Sequence, residues 1–130
     1  MEMRRSCPLM IAENTTQTLD WYEDRGFFAI RDIGGSPDED LHILIKDGEA
    51  FVQIMGAEAA RAFLPQVAEV SVGSVSGWYY LNLDDADAYI DTIKDGVEVL
   101  KDADHENGRI FYFRDLNGYI IGIYQIQPFG

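Results

Sequence analysis

The stretch NGRIFYFRDLNGYIIGIYQ, residues 107–125, decides the fold. It holds two apolar runs, residues 110–113 and 119–124, on either side of a polar turn that ends in Asn117-Gly118. Aromatic and β-branched residues flanking an Asn-Gly step predict a β-hairpin. A two-stranded ribbon alone is marginal in water, so the hairpin predicts a larger sheet around itself.

Working back from it, residues 102–107 (DADHEN) read as a loop and residues 97–100 as a strand. Gly96 stops a helix whose buried face is Ala86, Tyr89, Ile90 and Ile93, at i, i+3, i+4 and i+7, with Asp84 and Asp85 as capping residues. Residues 77–83 read as the strand before it. The second half of the chain is therefore β-α-β-β-β.

The first half repeats the pattern. Residues 8–12 read as a strand, and Asn14, Thr15 and Thr16 are cap candidates. A helix carrying Thr18, Leu19, Trp21, Tyr22 and Arg25 ends at Gly26. Residues 27–32 read as a strand and residues 33–40 (IGGSPDED) as a loop. Strands at 41–46 and 50–55 are joined by Asp47-Gly48. Gly26 matches Gly96, and Asp47-Gly48 matches Asn117-Gly118. The expected organisation is one domain over 1–130, with modules at 5–56 and 76–127 and a linker at 57–75 that holds a short helix at 57–63. Two such modules bury a sheet face that neither covers alone.

Side chains alternate across a strand. Tyr119, Ile121 and Ile123 oppose Ile120, Gly122 and Tyr124, while Tyr79, Leu81 and Leu83 oppose Trp78, Tyr80 and Asn82. His42, Leu44 and Lys46 share a third face. The aliphatic sets suit packing under helices. The mixed sets suit a concave, partly wet surface on which Trp78, Tyr80 and Tyr124, with Tyr112 and Phe51, line a cavity. The alternative is that they are ordinary aromatics of a sheet core. Gly122 among large residues marks the close approach of a ligand or of another backbone.

Composition excludes some functions. Ten Lys and Arg face 23 Asp and Glu, a net charge of −13. Nucleic acids and anionic membrane surfaces both need a basic face, so neither is an expected partner. The charge favours cationic small molecules or basic partners; the plainer account is that it keeps the protein soluble. The single cysteine, Cys7, allows no intramolecular disulfide, which fits a reducing compartment. Arg4 and Arg5 precede an apolar run at 7–12 that is too short for a signal sequence, and no stretch approaches a membrane span. A cytoplasmic protein is expected.

The duplicated βαβββ pattern resembles the vicinal oxygen chelate superfamily: glyoxalases, extradiol dioxygenases, fosfomycin-resistance transferases and bleomycin-resistance proteins. CPLMIAENTTQTLDWYEDRGF, residues 7–27, is similar to the opening strand and helix, with Trp21-Tyr22 where a Phe-Tyr pair is usual and no Leu before Gly26-Phe27. FYFRDLNGYIIGIYQ, residues 111–125, is similar to the closing hairpin, with Asp115-Leu116-Asn117-Gly118 where Asp-Pro-Asp-Gly is usual. The resemblance implies an α+β fold in which two tandem βαβββ modules form a cup-shaped mixed sheet with helices on its outer face.

Metal-dependent members hold a divalent ion in the cup through His, Glu or Gln. The matching positions here are Cys7, Gln53, Trp78 (or Gly77) and Gly122. These types do not make an oxygen and nitrogen site for a divalent ion. His42 and His105 match none of those positions, and Cys7 reads as a small buried residue rather than a nucleophile. No catalytic residue, metal or cofactor is expected. The resemblance is then to the metal-free bleomycin-resistance branch, which implies a homodimer that sequesters a planar, cationic, aromatic small molecule. The implied ligand-binding residues are Trp78 and Tyr112, then Tyr80 and Tyr124, with Gln53, Phe51 and Gly122; Asp38, Glu39 and Asp40 flank the groove or form a solvated acidic loop. Two other readings stay open: a metal-dependent glyoxalase, dioxygenase or fosfomycin-transferase type of enzyme, and a non-catalytic scaffold whose cup is filled by its own side chains.

Overall fold

The helices Thr15–Glu23 and Ala86–Ile93 each start at a side-chain cap. Asn14 Oδ1 accepts from the Gln17 N–H at 2.9 Å to start α1 (Thr15–Glu23). Gly26, at φ 91°, lets the chain leave the helix end. Asp85 caps α3 (Ala86–Ile93) by accepting from the Ala88 N–H at 3.2 Å. The computed structural model describes residues 7–66, 72–73, 78–105 and 108–125, and of His105 only the backbone. Arg4, Arg5, Gly77 and the outer ends of the two expected modules lie outside those residues.

The chain divides into two compact units, Met1–Val72 and Gly73–Gly130. In the first, β1 (Leu9–Ala12), α1, β2 (Phe28–Ile30), β3 (Leu41–Lys46) and β4 (Glu49–Gly56) are followed by α2 (Ala57–Phe63). In the second, β5 (Tyr79–Asn82), α3, β6 (Glu98–His105), β7 (Gly108–Arg114) and β8 (Ile120–Tyr124) follow one another. The sheets are ordered β1-β4-β3-β2 and β5-β8-β7-β6. In both, the first strand runs parallel to the fourth and the other pairs are antiparallel. The fold is α+β, built from two βαβββ modules of one topology.

One face of each sheet is sealed by a helix. In the first unit Leu19 and Tyr22 of α1 are buried with Met10, Leu44, Val52 and Ile54. In the second, Ile90 and Ile93 of α3 are buried with Phe111, Phe113, Ile121 and Ile123. Each of these side chains contributes about 1.5–3 kcal/mol through burial. Among the described residues no helix is long and apolar enough to cross a membrane.

Three local expectations need correction. The strand expected at 27–32 is shorter, Phe28–Ile30. Asp32 adopts φ 56° and donates its N–H to His42 Nδ1 at 3.0 Å, which turns the chain out of the sheet. The strand expected at 97–100 is longer, Glu98–His105, so the DADH part of the expected loop is strand. Arg109 on β7 holds Asp102 through two hydrogen bonds of 2.8 and 2.7 Å, which offsets the weak strand preference of aspartate. The strand expected at 77–83 is observed as Tyr79–Asn82.

Arg109 also reaches Asp91 of α3 at 3.3 Å. Hydrogen bonding to Asp102, and then to Asp91, raises its pKa, and the same bond lowers that of Asp102. A carboxylate whose folded pKa is depressed stabilises the fold above its ordinary value of 3.8 and loses that contribution as pH falls through the folded one. Arg109→Ala is therefore expected to cost at most about 1 kcal/mol at neutral pH in urea unfolding, the range for exposed pairs. The gap from the parent should close in acid and narrow in high salt. A gap that persists at low pH would assign the effect to lost packing of the arginine stem.

Candidate functional site

The face of the second sheet opposite α3 carries an aromatic cluster. Tyr80, Gly122 and Tyr112 sit side by side on β5, β8 and β7. The Tyr80 and Tyr112 rings lie 6.0 Å apart, edge to face, and their hydroxyls share a hydrogen bond of 3.2 Å. Trp78 packs on Tyr112 at 5.5 Å and Tyr124 on Tyr80 at 5.7 Å, both edge to face. This is the preferred geometry for quadrupolar rings. Trp78 is 55% exposed, Tyr80 47% and Tyr124 37%, so the cluster is accessible. The hydrogen bond to Tyr112, with some desolvation, raises the Tyr80 pKa, so this phenol is neutral at physiological pH and is no base. Lys101 pairs with Tyr112 across β6–β7, a feature that sequence reading missed because the strand was ended at residue 100.

Four of the expected binding residues, Trp78, Tyr80, Tyr112 and Tyr124, are thus brought together, with Gly122 beneath them. What approaches Gly122 closely is neither a ligand nor another backbone but two side chains of the same sheet. A Cβ there would lie 2.7 Å from Tyr80 Cε1 and 2.9 Å from Tyr112 Cε1. The two tyrosine rings take the space, and the glycine is what allows them to close over the strand.

Gln53 and Phe51 belong to the first unit. Gln53 pairs with Leu9 and Ile43 and is half-buried on the face away from α1. Phe51 departs from the two-residue alternation of β4. The register shifts between Leu44 and Ile45, leaving Phe51 as the extra residue of a bulge. Its ring packs 5.5 Å from Phe27 and 6.5 Å from Tyr22, beside the core. Simple alternation assigned it to the wrong face because a bulge breaks the two-residue period.

A divalent metal does not fit these residues. Cys7, Gln53, Trp78 and Gly122 offer one amide and one thiol between them, and Gly122 has no side chain. Among the described residues no group of three His, Cys, Asp or Glu side chains is close enough to hold an ion. Both nitrogens of buried His42 are engaged: Nδ1 accepts from Asp32, so Nε2 carries the proton and donates to Asp40 Oδ1 at 2.7 Å. Thr15 Oγ1 donates to the same oxygen at 2.8 Å. This network fixes the end of the acidic loop.

No family model matches the sequence, and no curated protein matches it. Solved structures do. A member of the glyoxalase/bleomycin resistance protein/dioxygenase superfamily from Sphaerobacter thermophilus superposes with a TM-score of 0.70 at 21% identity, covering 96% of this chain and 100% of that one. The bleomycin resistance determinant encoded on the transposon Tn5 gives 0.67 at 15% identity, covering 97% and 100%. The fold is that of the vicinal oxygen chelate superfamily. FosX, a fosfomycin resistance protein from Listeria monocytogenes, gives 0.64 at 16% identity, covering 98% and 96%. At these identities the likeness establishes the vicinal oxygen chelate fold, and function has to be argued from the site.

Proposed function

We propose that the protein is a metal-free binding protein that sequesters a planar, cationic small molecule and does no chemistry on it. The observation that carries this reading is the accessible cluster of Trp78, Tyr80, Tyr112 and Tyr124 on one sheet face. Aromatic faces bind flat cations by stacking and cation–π attraction, about 0.5–2 kcal/mol each. The net charge of −13 draws such ligands in. Lys101, paired with Tyr112 across β6–β7, would disfavour a cation on the β6 side of the cluster. The Tn5 structure is described as a bleomycin resistance determinant, which agrees with a drug-binding role. We infer a cytoplasmic homodimer, supported by the single cysteine and by Phe28 and Ile30, 61% and 43% exposed on the edge strand β2.

One observation favours a second reading, a scaffold whose cup is self-filled: Tyr80 and Tyr112 already pack over Gly122. Titration of the protein with proflavine, a planar cation, separates the two. Saturable quenching of tryptophan fluorescence is expected, and Trp78→Ala should weaken binding about tenfold, the loss of about 1.4 kcal/mol of stacking. Tyr112→Ala should weaken it by a similar factor. No response to proflavine, or equal binding by both variants and the parent, would favour the self-filled scaffold. Stoichiometric zinc, manganese or iron in purified protein would instead revive a metal enzyme.

A further inference from the structure

The first unit contains a groove of about 640 Å³, within the range for small-molecule sites. Its floor is Leu9, Leu41 and Met55. Leu41 pairs with Met55, and Leu9 with Gln53 two residues earlier, so the three share the sheet face opposite α1. Its wall is one side of α2, formed by Ala59, Ala62 and Phe63 at i, i+3 and i+4, while Ala57 and Ala60 on the other side are buried. Phe63 is 72% exposed and Leu9 40%, so an apolar surface is left facing solvent.

One edge of this groove is acidic. Asp38 and Glu39 line it from the 3₁₀ turn Pro37–Glu39, and no basic residue does among the described residues. The turn is held in place by the next residue. Asp40 binds His42 and Thr15 through its carboxylate, and its carbonyl accepts from the Gly56 N–H at 3.1 Å. Glu39 spends one oxygen on the Gly35 N–H at 2.9 Å. Asp38 makes no ion pair with a described residue. Arg61, on the same helix, reaches Glu13 at 3.5 Å.

We propose that this groove is a second ligand site, for an amphipathic cation: an alkyl or aryl body along Leu9, Leu41, Met55 and Phe63, and an ammonium group at Asp38 and Glu39. An apolar floor beside two carboxylates without a cationic partner among the described residues selects that class over a neutral or anionic lipid-like molecule. The placement on a pre-set turn lowers the cost of ordering the carboxylates. The site shares no residue with the aromatic cluster of the second unit.

The test is calorimetric titration of the full chain with decyltrimethylammonium and with decyl sulfate, both below micelle formation. The cation is expected to bind at least tenfold tighter than the anion. Asp38→Asn combined with Glu39→Gln should cut the cation's affinity about tenfold and leave the anion's unchanged. Ala62→Phe, at an exposed position, should block the cation by filling the groove. Equal binding of the two amphiphiles, or indifference to the carboxylate variant, would overturn the proposal. So would a change of oligomeric state on Ala62→Phe, which would make the groove a contact between copies of the chain.

Discussion

Gly122→Val is expected to destabilise the protein by about 3 kcal/mol, the upper end for overpacking a filled site. The added Cβ would sit 2.7 and 2.8 Å from Tyr80 Cε1 and Cδ1, and 2.9 Å from Tyr112 Cε1. Those atoms belong to rings that are hydrogen-bonded to one another and braced by Trp78 and Tyr124, so neither moves alone. The backbone raises no objection of its own. Gly122 is not among the positive-φ glycines, and valine suits a strand. The cost is therefore steric and should be relieved by making room. Tyr112→Ala in the Gly122→Val background is expected to recover about half of it in urea unfolding, a coupling that a double-mutant cycle reads directly. Additive effects of the two changes would show that the rings do not set the cost. Proflavine binding should fail in Gly122→Val, because the ring arrangement that presents the cluster is lost.

Gly122 also shows how far residue pattern alone reaches. Its oddity in a strand was legible, and so was its neighbourhood, because alternation puts Tyr80, Tyr112 and Tyr124 on its face. What fills the space above it was not legible, since that depends on ring rotamers on three strands. The same boundary recurs elsewhere. The limits of β3 and α2 follow from local signals: Asp47 and Gly48, at φ 52° and 81°, close a two-residue hairpin after Lys46, and Pro65 comes soon after Phe63. The extension of β6 to His105 did not follow, because Asp102 and Asp104 disfavour a strand until Arg109 arrives from across the ladder. The bulge at Phe51 and the bond from Asp32 to His42 likewise depend on a neighbouring strand, and each moved a residue that local reasoning had placed elsewhere. The groove beside α2 was missed for a related reason: nothing in residues 57–63 says that the acidic turn at 37–39 lies beside them.

Asp115→Ala is expected to cost about 3 kcal/mol, and it tests the hairpin on which the fold rests. The turn between β7 and β8 is not closed by Asn117-Gly118 alone. Gly118 takes φ 101° and donates its N–H to the Asp115 carbonyl at 3.1 Å, while the Asp115 N–H bonds the Tyr119 carbonyl at 2.9 Å. The Asp115 carboxylate completes the turn from inside. Its Oδ1 accepts from the backbone N–H groups of both Asn117 and Tyr119, each at 2.9 Å, and the residue is only 5% exposed. Truncation to alanine removes the oxygen to which both N–H groups donate, and the Tyr119 bond is buried. A buried donor left unpaired costs about 1–3 kcal/mol. Asp115→Asn keeps an oxygen at the same place and loses only its charge, so it should cost about half as much. If alanine and asparagine destabilise equally, the carboxylate's charge rather than its geometry holds the turn. If neither destabilises, the hairpin is set by the β7–β8 ladder and by Gly118 alone. Because Tyr112 and Gly122 lie on the two strands this turn joins, a loosened turn is also expected to weaken proflavine binding in the alanine variant before the protein unfolds.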